Sequence, residues 1–252
     1  MKTNKGDLIM KLIKDIVYGS DAPNSQVLDL YLPDTEEADL FIYFHGGGLE
    51  AGDKACTLAQ NVANLGKAVI SANYRMYPNA VFPEFLEDAA MVVNWAKEHM
   101  HEYTKINKVF VGGSSAGAWQ TAMIAFDAQY LGKYGIKTTD ITGYIINSAQ
   151  MTTHFNVLRE RGINTKRIMV DDAAPVYFIN ENTAFPNIFV IVSDDDMACR
   201  LEQNLMFLKT LEMLGCPSEK VTYKLMEGFK HCKYDGNEDF AETLNDYMNS
   251  VQ

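Results

Sequence analysis

The chain has 252 residues, 47% of them apolar, and a formal net charge of −11 with a pI near 4.9. That length buries a full core in one large α/β domain, and the acidic balance speaks against nucleic acid or an anionic membrane as partner, since both attract basic surfaces. Four scattered cysteines, Cys56, Cys199, Cys216 and Cys232, form no CxxC pair and so point away from zinc and redox chemistry.

The opening stretch, MKTNKGDLIMKLIKDIVYG, is interrupted by charge every few residues and lacks the apolar centre of a signal peptide. No segment elsewhere reaches the length of a membrane span, so the expected setting is the cytoplasm. Runs rich in β-branched and aromatic residues then predict strands at 12–18, 27–32, 40–45, 68–74, 108–113, 141–148, 187–193 and 220–226. Helical periodicity marks 54–65, 84–102, 116–131, 200–214 and 238–250. The early strands follow one another directly, which predicts an antiparallel edge. From residue 40 onward strand and helix alternate, the pattern of a mostly parallel sheet covered on both faces. With no repeat and no linker-like tract, residues 1–252 read as a single domain. Ligands of such sheets gather at the carboxyl ends of the strands, so the chemistry is sought there.

The strand at 40–45 runs into His45-Gly46-Gly47-Gly48. Three consecutive glycines continue a strand poorly, but they permit unusual φ/ψ values and let backbone N–H groups approach a ligand. The strand at 108–113 runs into SSAGAW, where the pattern G-x-S-x-G fits Gly113 to Gly117 and centres Ser115. Starting the pattern at Gly112 leaves Ala116 where the last glycine belongs. A sharp strand-to-helix turn requires small flanking residues and exposes the serine oxygen above the sheet.

A serine nucleophile needs a base, and the base needs an orienting acid. Of the five histidines, His45 belongs to the glycine run, His99 and His101 end a helix upstream, and His154 has no strand end beneath it. His231, just past the last strand, is left as the base. The strand at 187–193 ends in Asp194-Asp195-Asp196. Asp196 is taken as the acid with Asp195 and Asp194 as fallbacks, and at least one of the three is expected to cap the helix at 200–214. Consecutive side chains of an extended segment diverge and no ligand-spaced partners follow, so a metal site is not expected. Trp119, Tyr74 and Arg75 are read as packing and ion-pairing residues rather than substrate contacts.

With H-G-G-G, G-S-S-A-G, a strand-end aspartate and a late histidine in this order, the chain resembles an α/β-hydrolase. It is most similar to the hormone-sensitive-lipase-like branch of small bacterial carboxylesterases and acetylesterases. The resemblance covers the chain from Val27 to its C-terminus, through HGGGLEAGDK, through SANYRMYPNAVFPEFLEDAAMVVNWAKEH and through SDDDMACRLEQNLMFLKTLEMLG. It implies the α/β-hydrolase fold, with an eight-stranded, mostly parallel sheet and a small cap. Aligning LEQN with the family's acid-loop helix places the acid on Asp196, 231 − 196 = 35 residues before the histidine. The resemblance also implies an oxyanion hole of Gly47 and Gly48, joined by Ala116 as the residue after the nucleophile. The expected activity is hydrolysis of short-chain carboxylic esters with no cofactor and a small-molecule ester as the partner; the oligomeric state is left open between monomer and homodimer. Rival readings are an arylformamidase, peptidase or deacetylase on the same triad, and a non-catalytic binding homologue. Leu49 and Glu50 stand where the family commonly has an aromatic and an apolar residue. Few residues precede His45, so the pocket roof is expected from the long connection at about 148–185, the cap or lid.

Overall fold

The computed structural model describes residues 11–252; the first part of the charge-interrupted opening stretch lies outside them. Eight strands form one sheet: β1 (Lys11–Val17), β2 (Val27–Leu32), β3 (Glu37–Phe44), β4 (Ala68–Ala72), β5 (Lys105–Ser114), β6 (Gly143–Asn147), β7 (Ile188–Asp195) and β8 (Val221–Lys230). Their order is β1-β2-β4-β3-β5-β6-β7-β8. β1 pairs antiparallel with β2 and β2 antiparallel with β4, while every pairing from β4 through β3 to β8 is parallel. The antiparallel edge and the parallel body are those expected from the alternation.

Successive strand residues point to opposite faces, and β3 displays the result. Leu40, Ile42 and Phe44 enter a core with α2 (Glu84–His99), α3 (Ala116–Phe126) and α6 (Arg200–Met213). Phe41 and Tyr43 enter a second core beneath α1 (Thr57–Ala63) and α7 (Glu238–Ser250). The central strands are buried on both faces, which is why they read as near-continuous apolar runs.

The helix expected over 116–131 is two helices. α3 ends at Phe126, and Asp127 adopts an extended φ of −91° and ψ of 96° and accepts a hydrogen bond from the Gln129 N–H (3.2 Å), capping α4 (Ala128–Gly132). A short acidic side chain that satisfies a nearby N–H competes with the helix interior. A six-residue helix, α5 (Phe155–Glu160), lies in the connection from β6 to β7 where no element was expected. The His154 ring nitrogen Nδ1 caps it by accepting from the Asn156 N–H (3.2 Å). Among the described residues no helix is long and apolar enough to cross a membrane.

Candidate active site

β5 stops at Ser114 and α3 starts at Ala116, so the whole reversal of direction falls on Ser115. Ser115 holds φ 55° and ψ −110°, a strained conformation for a residue with a Cβ. Its neighbours must be small. A Cβ on Gly113 would lie 2.4 Å from the Gly117 carbonyl carbon, and one on Gly117 would lie 2.0 Å from the Phe44 oxygen. The strained residue is pinned by its N–H, which donates to the Asn147 oxygen (2.8 Å), and by its carbonyl, which accepts from the Trp119 N–H (2.9 Å).

The structure brings Ser115, His231 and Asp196 into one chain of contacts. His231 Nε2 lies 2.8 Å from Ser115 Oγ, and His231 Nδ1 lies 2.5 Å from Asp196 Oδ1. The other carboxylate oxygen of Asp196 accepts from Ser148 Oγ (2.7 Å) and Ser193 Oγ (3.1 Å), and the Met197 N–H donates to Oδ1 (2.6 Å). Burial opposes the charge on Asp196, but the hydrogen bonds from His231 and Ser148 outweigh it and hold the carboxyl at about 2. An ionised Asp196 only accepts, so the imidazole carries its proton on Nδ1 and leaves Nε2 free to accept from the serine hydroxyl.

The other two aspartates go elsewhere. Asp194 is exposed and accepts from the Gly228 N–H (2.8 Å), and Asp195 is exposed and pairs in register with Lys230. The expectation that one of the triplet caps the next helix is corrected. The N-cap of α6 is Cys199, in the left-handed region at φ 62° with no side-chain cap bond, because residues 197–199 form an intervening turn closed by the Arg200 N–H on the Met197 oxygen (2.9 Å).

The glycine run wraps the opposite side of the nucleophile. Gly47 and Gly48 have φ of 111° and 67°, and a Cβ on Gly47 would lie 2.0 Å from the Ala51 oxygen. His45 donates from Nδ1 to the Gly46 oxygen (2.7 Å) and stacks on Tyr74, whose hydroxyl donates to the His45 oxygen (2.9 Å). Burial pushes the His45 imidazole below its ordinary range and keeps it neutral, a brace for the loop. Gly47 and Gly48 line a cavity of about 370 Å³ with Ser115 and His231, walled further by Glu50, Phe155 and Met197. Ala116 is buried as the first residue of α3. Leu49 is buried at φ 64°, and Glu50 pairs with Arg159 of α5, so the glycine loop and the connection above it are tied by charge. A larger cavity of about 610 Å³ lies at the opposite end of the sheet, between the starts of β3 and β5 and the end of α2. It contains none of the residues singled out as nucleophile, base or acid.

The remaining candidates take structural places. Trp119 is fully buried and donates from Nε1 to the Ala173 oxygen (3.1 Å), and Arg75 grips the buried Asp88 with three bonds of 2.8 to 3.0 Å. His154 is buried, and burial drives its imidazole well below the ordinary range. Sequence reasoning missed Ser148 and Ser193, which donate to Asp196. It also missed a buried polar group under the nucleophile. Asn147 Nδ2 donates to Ser114 Oγ (3.0 Å) and to Asp235 Oδ1 (2.8 Å), the Tyr234 hydroxyl donates to Asn147 Oδ1 (2.6 Å), and the Tyr43 hydroxyl donates to Ser114 Oγ (3.1 Å). No motif signals these; only the position of Asp235 four residues after His231 could have drawn notice.

A strained serine between strand and helix, a histidine after the last strand and an acid after the one before it define the site of a hydrolase-like α/β protein. The family described as alpha/beta hydrolase fold matches residues 41–235, and the chain belongs to it. Among curated relatives, esterase LipI of Mycobacterium tuberculosis is 35% identical over 104 residues, covering 40% of this chain and 32% of LipI. The 3-O-acetylpapaveroxine carboxylesterase CXE2 of Papaver somniferum is 30% identical over 128 residues, 41% of this chain and 40% of that enzyme. The matches thus span well under half the length of those relatives. Among solved structures, a truncated carbohydrate esterase from gut microbiota superposes with a TM-score of 0.79 at 17% identity, covering 97% of both chains. A hyperthermophilic esterase of the archaeon Pyrobaculum calidifontis gives 0.72 at 18% identity, covering 98% of this chain and 85% of that one. At those identities the superpositions establish the fold.

Proposed function

We propose that the protein hydrolyses short-chain carboxylic esters, with Ser115 as nucleophile, His231 as general base and acid, and Asp196 as the orienting carboxylate. The observation that carries the reading is the unbroken contact chain from Ser115 Oγ through the imidazole to Asp196, at 2.8 and 2.5 Å. Ser115 Oγ attacks the ester carbonyl carbon while its proton passes to His231 Nε2, and Asp196 stabilises the imidazolium so formed. Collapse of the tetrahedral intermediate breaks the bond to the alcohol oxygen, which takes the proton from Nε2. Water then gives up a proton to the same nitrogen and attacks the acyl carbon; the second collapse breaks the bond to Ser115 Oγ, which recovers the proton from Nε2, and the carboxylic acid leaves.

The N–H groups of Gly47, Gly48 and Ala116 form the oxyanion hole in this reading, each worth on the order of 3 kcal/mol of barrier lowering. What supports the assignment is that the two glycines wall the cavity containing Ser115 and that Ala116 begins a helix whose positive end faces the serine. No cofactor enters any step. The connection at 148–185 acts as the roof of one catalytic domain, with Phe155 closing over Gly48. A Cβ on that glycine would lie 2.8 Å from the Phe155 ring. The cavity of about 370 Å³ that Phe155 helps to wall is near the lower end of the range for small-molecule sites, about 300–1,000 Å³, which supports a short acyl chain. The esterase names of several relatives agree with the chemistry.

Ser115→Ala tests it. The variant keeps its circular dichroism spectrum and melting temperature and loses p-nitrophenyl acetate turnover by about 10⁴-fold or more. Wild-type turnover in the variant refutes the proposal.

A further inference from the structure

The cavity at Ser115 shares three of its walls, Gly46, Gly47 and Asp235, with a second cavity of about 330 Å³ that extends over the end of β3 toward the start of α1. Tyr43, His45, Asp53 and Thr57 line this second space. A volume near 330 Å³ is at the lower end of what small-molecule sites use, about 300–1,000 Å³. The mechanism above uses the first cavity and leaves the second without a role.

We propose that the second cavity receives the alcohol portion of the ester, that this alcohol is polyhydroxylated, as in a sugar ring, and that Asp235 is the specificity-determining residue that binds its hydroxyls. The proposal rests on the reading of Ser115 as an ester-cleaving nucleophile and adds to it the chemical class of the leaving group.

Position is the first argument. Asp235 lies in the turn that follows His231 and is the one ionisable side chain that borders both cavities, so a group leaving Ser115 toward α1 passes it. Rigidity is the second. Asp235 Oδ1 accepts from Asn147 Nδ2 (2.8 Å), and Asn147 is itself fixed by the Tyr234 hydroxyl (2.6 Å). Ser114 Oγ accepts from Tyr43 and Asn147 and so belongs to the same fixed network. A carboxyl held by a donor that is itself fixed offers its remaining lone pairs in a set direction, which is what selective hydroxyl binding requires.

Charge and chemistry decide the class. Neither cavity is lined by Lys or Arg, so an anionic or phosphorylated alcohol finds no partner there. A long apolar alcohol would strip water from Asp53 and Asp235 and return no hydrogen bond, an unfavourable exchange. A cationic alcohol is the remaining rival. Among the described residues no aromatic cage of the kind that holds a quaternary ammonium lines the space, Tyr43 and His45 being its sole aromatic rings, whereas each fixed carboxylate can accept from a hydroxyl. Asp53, held by the Asn73 amide (2.9 Å) and the Ala55 N–H (2.8 Å), supplies a second acceptor across the space, and Thr57 adds an exposed hydroxyl at its rim. Two carboxylates and a hydroxyl around one small volume suit a ring bearing several O–H groups.

The test compares kcat/KM for four acetates: a mono-acetylated methyl xyloside, hexyl acetate, acetylcholine and p-nitrophenyl acetate. The wild type is expected to favour the xyloside over hexyl acetate and acetylcholine by about tenfold or more. Asp235→Ala lowers the ratio of xyloside to p-nitrophenyl acetate by about tenfold, mainly through KM, and Asp235→Asn restores part of it because the amide still binds hydroxyls. Thr57→Trp, which fills the second cavity from its exposed rim, lowers the same ratio and keeps the test decisive should Asp235→Ala fail to fold. Equal losses on all four esters would make Asp235 a structural support and overturn the proposal, as would a wild-type preference for hexyl acetate or acetylcholine. Those outcomes leave the esterase reading intact. Turnover of none of the four esters by the wild type removes that reading and this one with it.

Discussion

Asp196 and Asp195 are adjacent in the chain and opposite in circumstance. The first has a side chain only 1% exposed and contacts the imidazole; the second lies at the end of β7 in solvent. Asp196→Asn is therefore expected to lower kcat on p-nitrophenyl acetate by on the order of 10³- to 10⁴-fold, because the amide can no longer hold the proton on Nδ1. Asp195→Asn changes kcat by less than about threefold, as surface substitutions do. A reversal of the two would move the acid by one residue. Ser115 and His231 could be singled out from the sequence because local backbone demands narrow the choice, with a sharp bend flanked by small residues and a histidine directly after a strand. Ser148, Ser193, Asn147 and Asp235 could not, since each acts across neighbouring strands and none has a spacing that a one-dimensional pattern records.

The elements show the same division. Strands β2 to β7 were readable as apolar runs because burial leaves little room there for polar residues, whereas β8, a largely exposed edge strand, was readable only from its β-branched and aromatic residues. α5 was not, because six residues hold less than two turns of periodicity and its stability comes from packing and from its histidine cap. The break between α3 and α4 was signalled by Asp127 alone and masked by good helix formers on either side. The contact of α3 with the end of β3 is a backbone contact, and Gly117 permits it. Gly117→Ala is expected to lower the urea midpoint by more than ordinary overpacking, which costs about 1–3 kcal/mol, since the methyl meets a carbonyl oxygen rather than a mobile side chain. Gly132→Ala, at the end of α4 where a Cβ meets nothing, leaves the midpoint unchanged or raises it by up to about 1 kcal/mol. Comparable effects at the two positions would mean that the elbow is not packed against β3.

At the scale of the whole molecule, the two buried carboxyls near the site act on stability in opposite senses. Asp196, held at about 2 against an ordinary 3.8, contributes stability above the higher value and loses it as the pH falls toward the lower. Asp235, pushed from 3.8 to about 6, contributes fully below 3.8 and loses that contribution as the pH rises through about 6. Asp235→Asn has no such group to ionise, so the difference in urea midpoint between variant and wild type shifts in the variant's favour as the pH is raised from about 4 to about 7. A difference that stays flat over that range would show the carboxyl to be unperturbed. The order of the strands has one more result. Ser115 and His231 are 116 positions apart in the chain, with Asp196 and three parallel strands, β6, β7 and β8, lying between. At ribosomal rates of about 5–20 residues per second that interval lasts roughly 6–23 s. Until it ends, a growing chain that already holds Ser115 has no His231 for the hydroxyl to contact, so on the proposed reading hydrolysis waits for completion of the last strand of the sheet.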